Sequence, residues 1–415
     1  MIHAAVATGV RSRVKIVPFT NAYGASHEGE AMTAPIRLGL AGAGPRGLGL
    51  VSQAYAIGEQ EFFLSPESPY GSHPYEEYDH YGTQRPEWVE DVRDLTVTVT
   101  DVFDPDREAR ERALERCRDH EDEPTAHDSF ESFLETGESD AVIVASPNDT
   151  HLELALPLLE RDLDLLCEKP VATTLAGHDE LENAVEASDG QCIVGFNLRS
   201  SPLYAKLAEL IHDGAIGELG MLTAHNVRLP FRRGFRYERE RSGGSLLEKN
   251  CHDFDLFNWY ADADPVRVAA FTGQQVLTEN TDVADHGTVI VEYENGVKAT
   301  LELCLYAPFS HRGHRFYEAR GSDGLLRSPL ESGTLELCTR DERAEITVGE
   351  HGDASGHGGA DLHEMKTFLE CLRGRAEPPA TITDAKRAAA IALGADRASE
   401  TGEVVEITSE YDLRS

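Results

Sequence analysis

From residue 36 onward, short apolar runs alternate with stretches whose apolar residues recur every three or four positions. Residues 36–41 (IRLGLA) read as a buried strand and 48–57 as an apolar helix. Residues 95–103 alternate as a strand before a charged helix at 107–118. The run at 141–145 is apolar throughout, the pattern of a strand covered on both faces of a parallel sheet. Leu152, Leu154, Ala155, Leu158 and Leu159 then fall at helical spacing, and 163–167 is the next strand. A helix at 181–187, a strand at 191–196 and an amphipathic helix at 203–212 follow. This alternation predicts an α/β domain with a doubly wound parallel sheet.

Past residue 220 the pattern changes. Strands at 221–229, 266–272, 287–293, 298–306, 316–321 and 334–339 are joined by turns such as Glu294-Asn295-Gly296. They predict an α+β domain with a large, mostly antiparallel sheet, closed by helices at 361–373 and 384–400. A length of 415 residues suits two such domains.

Composition narrows the function classes. Asp plus Glu number 74 against 38 Lys plus Arg, a formal charge of -36. That excess repels nucleic acid and anionic membranes. Only seven of the basic residues are lysines, the acidic, lysine-poor balance expected of a halophile protein. Seven scattered cysteines without a CxxC pair argue against disulfides and a zinc cluster, so no metal is expected and a cytoplasmic location is. No apolar run suits a membrane span, and residues 1–31 lack a signal-peptide pattern. Because Met32 directly precedes the first strand, 1–34 is expected to be an N-terminal extension, either a disordered arm or, for 1–31, an over-long start assignment.

The first chemistry lies in Gly42-Ala43-Gly44-Pro45-Arg46-Gly47, between a strand and a helix. Gly42 permits the tight turn, Gly44 lets backbone approach a pyrophosphate, and Gly47 lets helix and strand pack closely. With Pro45 and Arg46, this turn predicts dinucleotide binding at the helix N-terminus. Asp104, ending the second strand, is the candidate for the adenosine ribose, with Asp101 as alternate. A carboxylate there favours NAD over NADP, although Arg107 nearby leaves NADP open. Residues 59–94, rich in Pro, Tyr, Glu and His, read as a surface insertion.

Ser146, Pro147, Asn148 and His151 follow the strand at 141–145, Glu168-Lys169-Pro170 ends the strand at 163–167, and all of these but Pro170 are candidates for contact with the cofactor. A lysine at the carboxyl end of a parallel strand sits where such sheets bind ligands. A second group lies in Gly243-Gly244-Ser245-Leu246-Leu247-Glu248-Lys249-Asn250-Cys251-His252-Asp253-Phe254-Asp255. On a helix Glu248 and His252 share a face, as do His252 and Asp255. A carboxylate one turn from a histidine can fix its tautomer and raise its basicity, which suits a general base. An acidic helix N-terminus that favours the helix dipole explains the same pattern equally well.

Taken together, the glycine turn, Pro147-Asn148-x-x-His151, Glu168-Lys169-Pro170, the Gly-Gly helix with Glu248, His252 and Asp255, and Gly321-Ser322-Asp323-Gly324 resemble one family. It is the glucose–fructose oxidoreductase, inositol dehydrogenase and rhizopine-catabolism family of NAD(P)-dependent oxidoreductases, and the resemblance spans residues 36 to 407. It implies a Rossmann domain at 35–197 and a substrate and oligomerisation domain at 198–415. It also implies a sugar, polyol or cyclitol substrate and a homo-oligomer. By the same resemblance Lys169 anchors the substrate hydroxyl beside the nicotinamide, and His252 takes its proton. Asp255 then binds a substrate hydroxyl, and Asn148 and His151 line the nicotinamide ribose. The family usually has Asp where this chain has Glu248. Arg199 is a further candidate for the substrate. Two other readings remain open: transient oxidation that labilises a leaving group, and a cofactor-binding regulator.

Overall fold

The structure, a computed structural model, describes residues 34–58, 94–230, 234–279, 281–308, 314–328, 333–348 and 360–414. The expected N-terminal extension, save Ala34, and the expected insertion, save Asp94, lie outside them.

The first layer is a six-stranded sheet with helices on its faces. In chain order it comprises β1 (Ile36–Ala41), α1 (Pro45–Gly58), β2 (Val97–Phe103), α2 (Arg107–Arg118), β3 (Thr125–His127) and α3 (Phe130–Thr136). It continues through β4 (Ala141–Val144), α4 (His151–Leu159), β5 (Asp164–Cys167), α5 (Leu175–Ala187) and β6 (Cys192–Val194). All pairings are parallel, in the order β3-β2-β1-β4-β5-β6. The order reverses between β1 and β4, and a crevice at such a switch point is where open α/β sheets hold ligands. Every residue of β4 is buried, as its unbroken apolar run requires. The sequence pattern did not reveal β3 and α3, because a three-residue edge strand with two exposed residues carries no apolar signature.

The second layer begins with α6 (Pro202–His212) and β7 (Leu219–Val227), then α7 (Arg239–Ser242) and α8 (Ser245–Ala261). Strands β8 (Pro265–Gly273), β9 (His286–Tyr293), β10 (Lys298–Cys304), β11 (His314–Gly321), β12 (Gly324–Arg327), β13 (Thr334–Thr339) and β14 (Arg343–Thr347) follow. The chain closes with α9 (Ala360–Leu372), α10 (Ile382–Thr401), β15 (Val405–Ile407) and β16 (Leu413–Arg414). The ten strands form one sheet in the order β14-β13-β12-β11-β7-β10-β9-β8-β15-β16. Only the β7–β10 pair is parallel among the described strands, so the sheet is mostly antiparallel.

Helices α8 and α10 cover one face of this sheet. A row of small residues in α10 (Ala385, Ala388, Ala389, Ala392, Ala395) keeps the helix close to its neighbours, and a Cβ on Gly394 would come within 2.8 Å of Val268. The other face carries Phe271, 84% exposed, with Ile290 and Met221 also exposed. Helix α9 belongs elsewhere: Leu362, Met365, Phe368 and Leu369 join the core formed by Leu50, Val51 and Ala54 of α1. The chain therefore crosses back to the first layer within 198–415. Among the described residues no helix is long and apolar enough to cross a membrane.

Candidate active site

The crevice starts at the glycine turn. Gly42 has a φ of +102°, and a Cβ there would lie 2.6 Å from the Ser146 backbone nitrogen. A Cβ on Gly47 would lie 2.1 Å from the Gly42 carbonyl oxygen, so close packing excludes any side chain. Gly44 has nothing within 4 Å of its Cβ position and leaves the turn open. Pro45 is the first residue of α1, where its missing N–H costs nothing. Asp104 flanks the turn, its two carboxylate oxygens accepting from Ala43 N and Asp106 N at 2.8 Å each. Asp101, the alternate, is buried and accepts from His127 Nε2, Glu138 N and Ser139 Oγ, so it does not face the crevice. An open glycine cradle, a helix N-terminus and a flanking carboxylate fit the adenosine half of a nicotinamide dinucleotide.

Arg46 and Glu168, both expected at the cofactor, are committed to each other. The Arg46 guanidinium also meets Asp361 at 2.7 Å and Glu364 at 3.1 Å on α9. Burial pushes the Glu364 carboxyl up, against the pull of Arg46. This cluster ties the glycine turn to α9 and leaves the helix backbone, rather than the guanidinium, to meet phosphate.

The ends of β4 and β5 lie beside the turn. Thr150 donates to Ser146 Oγ at 2.7 Å, and Asn148 Nδ2 donates to the Ser242 carbonyl at 3.0 Å, bridging to α7. Beneath them His151 is 1% exposed, with Nδ1 2.8 Å from the Pro170 carbonyl and Nε2 2.8 Å from that of Ser146. Burial pushes its pKa down, although both carbonyls favour the protonated ring. His151 thus braces two strand ends against each other instead of lining the crevice.

Lys169 follows β5, and its bond to Pro170 is cis. Its Nζ donates to the Glu248 carbonyl oxygen at 2.7 Å, reaching from the first sheet to the second layer. His252, one turn along α8, is buried with its ring edge-on to Phe196 at 5.8 Å. The expected Glu248–His252 pair does not form. Instead Glu248 Oε1 accepts from Arg236 Nε at 2.9 Å, and Oε2 lies 3.7 Å from Lys249 Nζ. Burial alone would raise the Glu248 carboxyl, yet Lys249, Lys169 and Arg236 together bring it down to about 2. Burial pushes Lys249 down to about 7, with Glu248 opposing and Lys169, Arg236 and Arg228 reinforcing the shift.

Asp255 and Arg199, both expected at the substrate, occupy one another. Arg199 donates to Asp255 through Nη2 at 2.6 Å and Nε at 2.8 Å, and Nη2 lies 3.1 Å from Asp384. Arg199 also donates to the Pro379 carbonyl at 2.8 Å. Burial pushes Asp255 up to about 6 against the pull of Arg199. A bidentate pair enclosed this way has little left for a ligand.

The sequence reading passed over Arg236, Arg228 and Arg315 and assigned Lys249 no role. Arg236 lies twelve residues before Glu248, a separation with no local periodicity, so only the folded chain pairs them. Arg228 and Arg315 lie two residues from Asn226 and Tyr317 along their extended segments, but only the folded chain shows that those residues face α8.

The comparisons with known proteins agree with this architecture. Residues 80–196 match the oxidoreductase family with an NAD-binding Rossmann fold, and residues 204–327 match the GFO/IDH/MocA C-terminal domain. The chain is 27% identical over 293 residues to 1,5-anhydro-D-fructose reductase of Ensifer adhaerens, covering 67% of this chain and 83% of that one. It is 24% identical over 296 residues to myo-inositol 2-dehydrogenase of Thermotoga maritima, covering 71% and 87%. A solved levoglucosan dehydrogenase in complex with NADH and levoglucosan has the same fold, with a TM-score of 0.72 at 18% identity over 91% of this chain and 100% of that one. The chain belongs to the GFO/IDH/MocA family of oxidoreductases and carries that family's NAD-binding Rossmann fold.

Proposed function

We propose that the protein transfers hydride between NAD and a hydroxyl-bearing carbon of a polyhydroxy substrate, a sugar, polyol or cyclitol, with Lys169 and His252 at the reacting hydroxyl. The observation that carries this reading is Lys169, which leaves the end of β5 and reaches the first turn of α8. An ammonium has three donors, and the Glu248 carbonyl takes one, leaving others for a substrate oxygen. Such a donor stabilises the negative charge that develops on a hydroxyl as it loses its proton. His252, one turn from Glu248 on α8, supplies the imidazole that accepts the proton. Bound NAD supplies the hydride acceptor. Relatives named for an anhydrosugar and for myo-inositol support the substrate class.

The open face of the second sheet supports a homo-oligomer, because Phe271, Ile290 and Met221 are exposed there. The test of the reaction is NAD reduction at 340 nm across sugars, sugar acids, polyols and cyclitols, with Lys169→Ala and His252→Ala in parallel. Robust reduction that either variant leaves intact would displace that residue from its role.

A further inference from the structure

The first turns of α8 are ringed by positive charge in a chain whose formal charge is -36. Lys169 arrives from β5, Lys249 from α8 itself and Arg236 from the segment before α7, all converging on Glu248. Arg228 and Arg315 add to this from the sheet. Arg315 on β11 pairs in register with Asn226 on β7, and Arg228 lies two residues beyond Asn226. Side chains two apart on an extended strand share a face. That face is the one toward α8, since Asn226 Nδ2 donates to Asp253 at 2.7 Å and the Tyr317 hydroxyl also bonds Asp253.

Arg315 is the sharpest of these observations. Its side chain is 7% exposed, and its Nε and Nη1 have no hydrogen-bond acceptor among the described residues. Asp253 lies 3.6 Å away but already accepts from Asn226, Asn250 and Tyr317. A buried guanidinium with unused donors calls for a ligand, because desolvating it without an acceptor is costly. Arg228 links the two ends of the region: it acts on Lys249 at the helix and, with Arg315, on Tyr204.

We infer that the polyhydroxy substrate is an anion, a sugar acid or a sugar phosphate, whose charged group is received by Arg315, with Arg228 and Lys249 adding positive charge to the region. The inference rests on the hydride-transfer reading above. A neutral sugar or cyclitol offers Arg315 only single hydroxyl acceptors, whereas a carboxylate or phosphate adds opposite charge and the paired oxygens that match a guanidinium.

The experiment sets D-glucuronate, D-gluconate and D-glucose 6-phosphate against D-glucose, sorbitol and myo-inositol at constant ionic strength. Two quantities are read: kcat/KM for NAD reduction and equilibrium binding to the enzyme–NADH complex by calorimetry. At least one charged probe is expected to exceed its uncharged counterpart by about tenfold or more, the scale of one charge-assisted hydrogen bond. Whether it is the acid or the phosphate separates the two sources. Arg315→Gln should collapse that ratio, and Arg315→Lys should restore part of it, which a purely structural arginine would not do. Preference for uncharged probes, no binding of any charged probe, or an equal loss on both in Arg315→Gln overturns the inference. Binding of charged probes without NAD reduction by any compound overturns the hydride-transfer reading instead and leaves the anion site standing.

Discussion

Two kinds of buried charge cluster flank the crevice, and their stoichiometry separates scaffold from chemistry. Arg46 meets Glu168, Asp361 and Glu364, while Arg199 meets Asp255 and Asp384. In both, carboxylates outnumber the cation and enclose it, so each cluster holds elements together. Around Glu248 the ratio inverts: one carboxylate faces Lys169, Lys249 and Arg236. That cluster keeps positive charge in hand at the place where a hydroxyl would lose its proton. The family resemblance made Asp255 a candidate for the substrate, beside Arg199 and the cofactor candidate Glu168, and in the folded chain the bonds of all three are taken up by one another's neighbours.

The widest separation between the clusters should come from Lys169→Ala. Without the ammonium, the developing charge on the substrate oxygen loses its donor, and kcat should fall about 10²–10³-fold, as for a lost oxyanion donor. NADH affinity, read by fluorescence titration, should move little, since the Lys169 ammonium reaches away from the glycine turn to the Glu248 carbonyl. Loss of cofactor binding to the same degree as turnover would mark Lys169 as scaffold, and the contrast would fail.

Arg199→Met should do the opposite. The Arg199 side chain is 10% exposed and that of Asp255 1%, so the variant strands buried carboxylates. Breaking such a pair costs about 3–5 kcal/mol, to be read as a lowered midpoint in chemical denaturation. Any fall in activity should track the unfolded fraction. Arg46→Met should behave alike, because Asp361 and Glu364 would then face each other on α9. Full stability in either variant would show that these clusters are not what joins the layers.

A third test uses pH. Lys249 titrates near 7, facing Glu248 on its own helix, Lys169 from β5, Arg236 and Arg228. Below that pH it is charged and adds to anion affinity; above it the charge is lost, so binding of a charged probe should weaken as pH rises through about 7. The same depressed pKa means the unfolded chain holds this proton to about 10.4 while the folded chain does not, so stability should rise with pH across that window. Lys249→Met should flatten both slopes. Titration of D-glucuronate from pH 6 to 8.5 by calorimetry checks the first, and a slope that survives the substitution belongs to another group.

How far the sequence carried these conclusions differs between the two layers. The first was legible because parallel strands buried on both faces leave unbroken apolar runs, as at 141–144, and because glycine positions are dictated by backbone approach. The cation cluster was not. Arg236, Arg228 and Arg315 come from three separated segments, and nothing in local periodicity says which strand face looks toward α8. Helix α9 misled for a related reason: its apolar stripe predicts that it packs, but not that its partner is α1. Sharing a helical face likewise brought Glu248 near His252 without making them partners, because stronger positive groups arrive from elsewhere in the chain.

The smallest expected effect concerns Asp104, which belongs to neither cluster type. Its two oxygens each accept one backbone N–H, from Ala43 and Asp106, and Arg110 Nη1 donates to its carbonyl at 2.6 Å. An ionised carboxylate has about four lone-pair sites, so two remain for the hydroxyls of an adenosine ribose. Its charge would repel a 2′-phosphate, which favours NAD. Arg107, close in sequence, is instead exposed and paired with Glu111 at 2.7 Å. Asp104→Asn keeps the shape but removes the charge, and its amide would turn a donor toward one of the two backbone N–H groups. NADH binding should therefore weaken slightly while NADPH binding improves, moving the ratio about tenfold, near the 1.4 kcal/mol scale of a single charge effect. Parallel fluorescence titrations with both cofactors measure it. An unchanged ratio would mean that the carboxylate only shapes the turn, and that discrimination lies with Arg107 once it leaves Glu111.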